Sequence, residues 1–171
     1  MGYDIPASIG AAFAGKGRRV ICLAGDGSGH FNIQELQTIV HHQLPIKIFI
    51  LNNGGYLSIR LTQAGFFKGN FVGEGPRSGV TFPDFVKVAE AYGLPATRIA
   101  EADFSKQLDD FLAIRGPALC EVMLDPDQGF EPKLSSRQLP DGTIVTASLE
   151  DMAPFLSREE LQSNMLAPLD H

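Results

Sequence analysis

The chain has 171 residues, 44% of them hydrophobic, enough to bury one respectable core and to exclude a disordered or fibrous protein. Twenty acidic against fourteen basic residues give a net charge of −6 and a pI near 5.1, so there is no basic footprint for nucleic acid or an anionic membrane, and a polyphosphate ligand would need local help. No apolar run reaches the ~18 residues that cross a bilayer, and Met1-Gly2-Tyr3-Asp4 lacks the layout of a signal peptide, so a cytoplasmic location is expected.

Residues 3–15 carry Pro6 in the first turn, Ala and Ile through the middle and a closing Gly15, which predicts a helix. Residues 19–24 are β-branched and apolar and predict a strand. It runs into Gly25-Asp26-Gly27-Ser28-Gly29, read as a tight turn that continues neither element. Ile33, Leu36, Ile39 and Val40 recur at helical spacing over 32–43, and Leu44-Pro45 ends that run. Residues 46–51 form a second, nearly all-apolar strand ending in Asn52-Asn53-Gly54-Gly55. Strands apolar on both faces and joined by a helix belong to a parallel sheet covered on each side. The pattern repeats with a helix over 83–92, a strand over 96–100, a helix over 104–115 and a strand over 119–124. The glycine-rich stretch 65–76 is too irregular for an ordinary connection and reads as a lid, a substrate loop or a mobile insertion. Past Asp125 the composition shifts to Pro, Gly and Ser. Residues 126–171 are expected to be an extended tail, docked on a body or a partner subunit, with a short capped helix at 157–160. The expected fold is a three-layer α/β/α unit with a mainly parallel sheet over residues 1–125, followed by that tail.

In parallel α/β sheets ligands sit outside the carboxyl ends of neighbouring strands, which directs attention to two loops. The first sets Asp26 between glycines at the start of a helix, where backbone amides favour phosphate while the carboxylate repels it. A bridging cation removes that contradiction. The second holds Asn53, a hard neutral oxygen donor, followed by glycines that let carbonyls turn inward. Mg²⁺ takes about six oxygens, commonly from one or two carboxylates, carbonyls, water and a substrate phosphate. Asp26, Asn53 and a carbonyl after it make a half-shell. Cys22 and Cys120 sit in short apolar runs and read as buried thiols. His41 and His42 are adjacent on a helix, point apart and suit a helix end; Glu35 suits a capping or packing partner, and His30 has no assigned role.

Gly25-Asp26-Gly27-Ser28 followed, 27 positions after the aspartate, by the second residue of Asn52-Asn53 resembles the cofactor fingerprint of thiamine diphosphate enzymes, GDG and then NN. The text around it, Gly2-Tyr-Asp-Ile-Pro-Ala-Ser-Ile-Gly-Ala-Ala, Asn32-Ile-Gln-Glu-Leu and Leu44-Pro-Ile-Lys-Ile-Phe-Ile-Leu-Asn-Asn, is similar to the acetolactate synthase branch, over about residues 1–125. The resemblance implies thiamine diphosphate and Mg²⁺ as cofactors. Asp26 and Asn53 would supply side-chain oxygens to the metal, and Gly55 its main-chain carbonyl. Gly25 belongs to the same fingerprint, Gly27 and Ser28 would meet the diphosphate through backbone N–H and hydroxyl, and Tyr56 and Leu57 would lie along the cofactor. Met1 stands where the branch places an apolar wedge that bends the cofactor. The loop holding Arg60 would stand near the substrate channel, where an ordinary surface arginine is the other reading.

The family's activating glutamate resides on a separate pyrimidine-binding domain, so no catalytic residue is expected in this chain. A helix and a strand normally precede the position where the chain begins, which implies a domain truncated at its N-terminal edge and a fragment or split subunit. The implied reaction is decarboxylation of a 2-oxo acid and carboligation to a second carbonyl compound. The implied partners are a pyrimidine-binding domain or subunit, a small 2-oxo acid and further copies in a homo- or hetero-oligomer, with no nucleic acid and no membrane. The alternatives are a 2-oxo acid decarboxylase subunit and a non-catalytic assembly or regulatory module. A dinucleotide-binding unit fits poorly, because Gly25-Asp-Gly-Ser-Gly-His30 departs from G-x-G-x-x-G and the next strand ends in asparagines.

Overall fold

The computed structural model describes residues 1–100, 104–134, 136–138, 141 and 143–166, in two compact units, Met1–Gln128 and Gly129–His171. In the first unit the chain runs through α1 (Asp4–Ala14), β1 (Val20–Gly25), α2 (Asp26–Phe31), a 3₁₀ turn (Ile33–Glu35), α3 (Leu36–His41) and β2 (Ile46–Asn52). It continues through α4 (Leu57–Phe66), a 3₁₀ turn (Pro76–Ser78), α5 (Phe85–Ala91), β3 (Ala96–Ile99), α6 (Phe104–Ala113) and β4 (Ala118–Met123). The four strands form one parallel sheet in the order β1-β2-β4-β3.

Alternation along the strands divides the core in two. On one face Cys22, Ala24, Ile46, Ile48, Ile50 and Leu119 pack against Ile5 and Ala12 of α1, Leu36 and Ile39 of α3, and Phe85 and Ala89 of α5. On the other, Phe49, Ala118, Cys120, Val122 and Ile99 receive Phe111 of α6. That helix stops short of edge strand β1, whose Ile21 and Leu23 stay 49% and 62% exposed. Lys47 is the one basic side chain in the buried run of β2. Its ammonium donates to the carbonyls of Ile114 (2.6 Å) and Gly116 (2.8 Å), groups that a helix end leaves without partners, so a buried charge caps α6.

The two thiols are buried and free, on opposite faces of the sheet with β2 between their strands, so they cannot bridge. Burial pushes the Cys120 thiol up to about 11 and raises Cys22 as well, which leaves neither nucleophilic at neutral pH.

Three local expectations change. The 25–29 stretch is not a free turn: helix α2 begins at Asp26 and contains Gly27 and Gly29. Both glycines lie where neighbours leave no room for a Cβ: one at Gly27 would overlap the Tyr56 ring, and one at Gly29 would come within 2.7 Å of Ile50 Cδ1. The helix expected over 32–43 is broken near Asn32 (φ −128°, ψ 40°), whose side-chain amide donates to the Gly2 carbonyl. The irregular stretch begins only after α4, a helix unforeseen because its apolar residues have no buried face beyond Leu57. Gln63 ties that stretch down at Val72, donating to its carbonyl (2.9 Å) and accepting from its N–H (3.0 Å).

The second unit holds an antiparallel pair, β5 (Ser136–Gln138) with β6 (Ile144–Thr146), and α7 (Arg158–Asn164). Ser157 Oγ accepts from Glu160 N–H (3.2 Å), the predicted cap. No helix among the described residues is long and apolar enough to cross a membrane.

Candidate functional site

Parallel pairing builds the site. The register runs without a slip from Val20 opposite Ile46 to Gly25 opposite Leu51, so β1 and β2 end together and deliver Asp26 and Asn52-Asn53 to the same end of the sheet. Asp26 is 2% exposed. Its Oδ1 accepts from Gly27 N–H (2.7 Å) and its Oδ2 from Gly55 N–H (2.9 Å), which joins the two loops directly. Burial holds the Asp26 carboxyl above the usual carboxylate range, and the amide hydrogen bonds from Gly27 and Gly55 oppose that rise without cancelling it.

Asn53 Oδ1 is buried with no hydrogen-bond partner, and no other buried side-chain nitrogen or oxygen among the described residues shares that condition. An orphaned acceptor costs about 1–3 kcal/mol, so a ligand belongs there. The two loops joined by the bond from Gly55 N–H to Asp26 offer a carboxylate, an amide oxygen and the Gly55 carbonyl, which accepts Leu57 N–H at 3.2 Å. These are hard oxygens. Among the described residues no group of three or more His, Cys, Asp or Glu is placed to hold a metal; a carboxylate with neutral oxygens is the donor type of Mg²⁺, where Zn²⁺ takes sulfur and nitrogen. The residues present therefore fit the bridging cation.

The other predicted contacts are arranged as follows. Gly25 is the extended residue preceding α2 (φ −69°, ψ 158°). Gly27 N–H, expected to face a diphosphate, donates to Asp26 Oδ1 in this arrangement. Ser28 Oγ accepts from Gly2 N–H (2.7 Å), which leaves the hydroxyl proton free to be donated. Met1, next to that anchor, is 79% exposed. Leu57 is buried, and both the Tyr56 ring, at 5.4 Å, and the His30 ring, at 5.7 Å, stand edge-on to Phe82. His41 and His42 are exposed at the end of α3, and Glu35 accepts from the Thr38 hydroxyl (2.9 Å), as a packing partner would.

Arg60 is no ordinary surface arginine. Its Nε donates to Glu74 Oε2 (2.6 Å), its Nη1 to the Pro126 carbonyl (2.7 Å) and its Nη2 to the Gly54 carbonyl (3.4 Å). Glu74 in turn accepts Tyr56 N–H at its own carbonyl (2.7 Å). The pair thus pins the 67–84 segment to the asparagine loop. Glu74 and Phe82 escaped the sequence reading, as did the partners of Arg60, since nothing local marks its contacts with Glu74, 14 residues away, and Pro126, 66 residues away. Arg60→Lys is expected to cost about 1–2 kcal/mol in denaturant unfolding, because a point-like ammonium cannot serve three acceptors in a plane.

With this geometry in view, residues 1–122 match the family of thiamine pyrophosphate enzymes at their C-terminal TPP binding domain. The chain belongs to this family. It is 33% identical over 136 residues to the acetolactate synthase large subunit of Cyanidium caldarium, covering 79% of this chain and 23% of that protein. It is 35% identical over 137 residues to the acetolactate synthase isozyme 1 large subunit of Escherichia coli (strain K12), covering 77% and 23%. Among solved structures, the thiamine diphosphate-dependent 4-hydroxybenzoylformate decarboxylase of Rhodococcus jostii RHA1 matches with a TM-score of 0.65 and 36% identity, over 75% of this chain and 24% of that one. The chain spans less than a quarter of the length of the curated relatives it matches. The α/β fold with a parallel sheet, the kinship with acetolactate synthases and thiamine diphosphate as the family's cofactor agree with the expectations from the motifs.

Proposed function

We propose that the chain is the diphosphate- and Mg²⁺-binding part of an acetolactate synthase-like enzyme that decarboxylates a 2-oxo acid and joins the product to a second carbonyl compound. The orphaned Asn53 Oδ1 beside the buried Asp26 carboxylate is the observation that carries this reading. Asp26, Asn53 and the Gly55 carbonyl would hold the cation. Gly27 N–H and Ser28 Oγ–H would donate to the diphosphate, with Gly25 in the same loop, Tyr56 and Leu57 alongside and Met1 in the place of the apolar wedge. When bound, the coenzyme supplies the electron sink that decarboxylation requires. This chain's share is to neutralise and orient the anionic end.

Activation of the coenzyme falls to a pyrimidine-binding domain or subunit, and the exposed Ile21 and Leu23 favour burial against another chain in an oligomer. A decarboxylase subunit is the second reading, favoured by the likeness to the Rhodococcus jostii enzyme; an assembly module without turnover is the third. Calorimetric titration of thiamine diphosphate with Mg²⁺ separates them, on the chain alone and with a pyrimidine-binding partner. Binding that is strengthened by the partner, with no acetolactate formed from pyruvate by the chain alone, is the expected result. NADH binding in place of thiamine diphosphate would sink the proposal.

A further inference from the structure

The first asparagine of the pair, which the metal reading leaves idle, is wired into the core. Asn52 Nδ2 donates to Glu121 Oε1 (2.7 Å) while its Oδ1 accepts from Gly54 N–H (2.9 Å). Its orientation is dictated at both ends, since an ionised carboxylate only accepts and a backbone N–H only donates. Glu121 lies on β4, opposite Ile50 and Arg98, and is 2% exposed. Its other oxygen, Oε2, accepts from Arg98 Nε (2.8 Å) and Nη2 (2.7 Å), and Arg98 also reaches Asp84 (2.9 Å). Glu121 is buried but Arg98 is 44% exposed, and a half-exposed ion pair adds little net stability, so stability alone does not account for a carboxylate at this position. Its free oxygen does have a use: it holds the side chain that grips Gly54, one residue before the amide that bonds Asp26.

We infer that Glu121 and Asn52 are positioning residues: a relay across β3, β4 and β2 that presets the 52–55 loop, so that Asn53 Oδ1 and Asp26 face one cation before it arrives. The metal-affinity part rests on the function proposed above; the loop part does not. In the full chain without metal, amide hydrogen exchange at Gly55 reads the loop, although neither side chain touches that amide.

Asn52→Ala and Glu121→Ala are each expected to speed exchange at Gly55 about tenfold, the scale of one charge-assisted hydrogen bond. The double variant is expected to be no worse than the worse single, because both act through one chain of contacts. If Glu121→Ala does not fold, Glu121→Gln, which keeps an acceptor for Asn52, is expected to exchange more slowly at Gly55 than Asn52→Ala. Mn²⁺ titration by electron paramagnetic resonance, with thiamine diphosphate present, should show a parallel loss of affinity of about tenfold. Wild-type exchange at Gly55 in the folded variants, or effects that simply add, would overturn the relay. Accelerated exchange, with no Mn²⁺ taken up by the wild-type chain even together with a pyrimidine-binding partner, would support the loop relay, overturn its metal-affinity part and refute the proposed function.

Discussion

Asp26→Asn is expected to weaken binding of thiamine diphosphate with Mg²⁺ by about 100-fold or more, since removing even an outer partner of a metal site costs 10–100-fold. The same change relieves the metal-free chain of a buried charge at neutral pH but sets the new amide nitrogen against one of the two backbone N–H groups that Asp26 accepts. Burial holds the folded carboxyl above its unfolded range, so between the two values the unfolded chain carries fewer protons. Stability without metal therefore falls as pH rises through that window, and the full penalty applies above it. An uncharged asparagine has no such pH dependence, and its Oδ1 accepts only one of the two amides. Thermal melts of the two metal-free proteins should accordingly show the wild type gaining stability relative to Asp26→Asn as pH is lowered through the window. Calorimetry on whatever assembly binds the coenzyme supplies the affinity, and wild-type affinity in Asp26→Asn would remove the basis of the metal site.

Gly55→Ala is expected to destabilise the first unit by about 2–5 kcal/mol, the sum of backbone strain and overpacking, and to abolish tight coenzyme binding. Gly55 has φ +157°, and a Cβ there would overlap the Glu74 carbonyl oxygen and come within 2.7 Å of Arg60 Nη2. That oxygen accepts Tyr56 N–H, so the clash cannot be relieved without opening the joint between the asparagine loop and the 67–84 segment. Gly54→Ala is the control. At φ +73° a Cβ meets nothing within 4 Å, so only backbone strain remains, about 1–2 kcal/mol. Denaturant midpoints measure both, and equal losses for the two variants would show that the Glu74 contact is unimportant.

Much of this site is legible in one dimension. Apolar β-branched runs announce β1 and β2, and the glycines after each say that the chain leaves the sheet where backbone can approach a ligand. An aspartate in one loop and an asparagine in the other then specify oxygen donors. The glycines of α2 are misleading for an understandable reason. Glycine ordinarily marks a turn, but Gly27 and Gly29 sit in a helix because the Tyr56 ring and Ile50 occupy the space beside them. Arg60 is equally opaque: on an exposed helix it reads as solvent-facing until the 67–84 segment folds back and presents Glu74.

Sequence alone therefore determined the order of the four parallel strands, most of the helices between them and the kind of donor at each loop, because these depend on neighbouring residues and their chemistry. Tertiary structure decided which donors share a site. The unslipped register of β1 on β2 sets Asp26 against the Gly55 amide, and burial leaves Asn53 Oδ1 without a partner. Pairing and desolvation are properties of segments brought together from distant parts of the chain, and no stretch read by itself contains them.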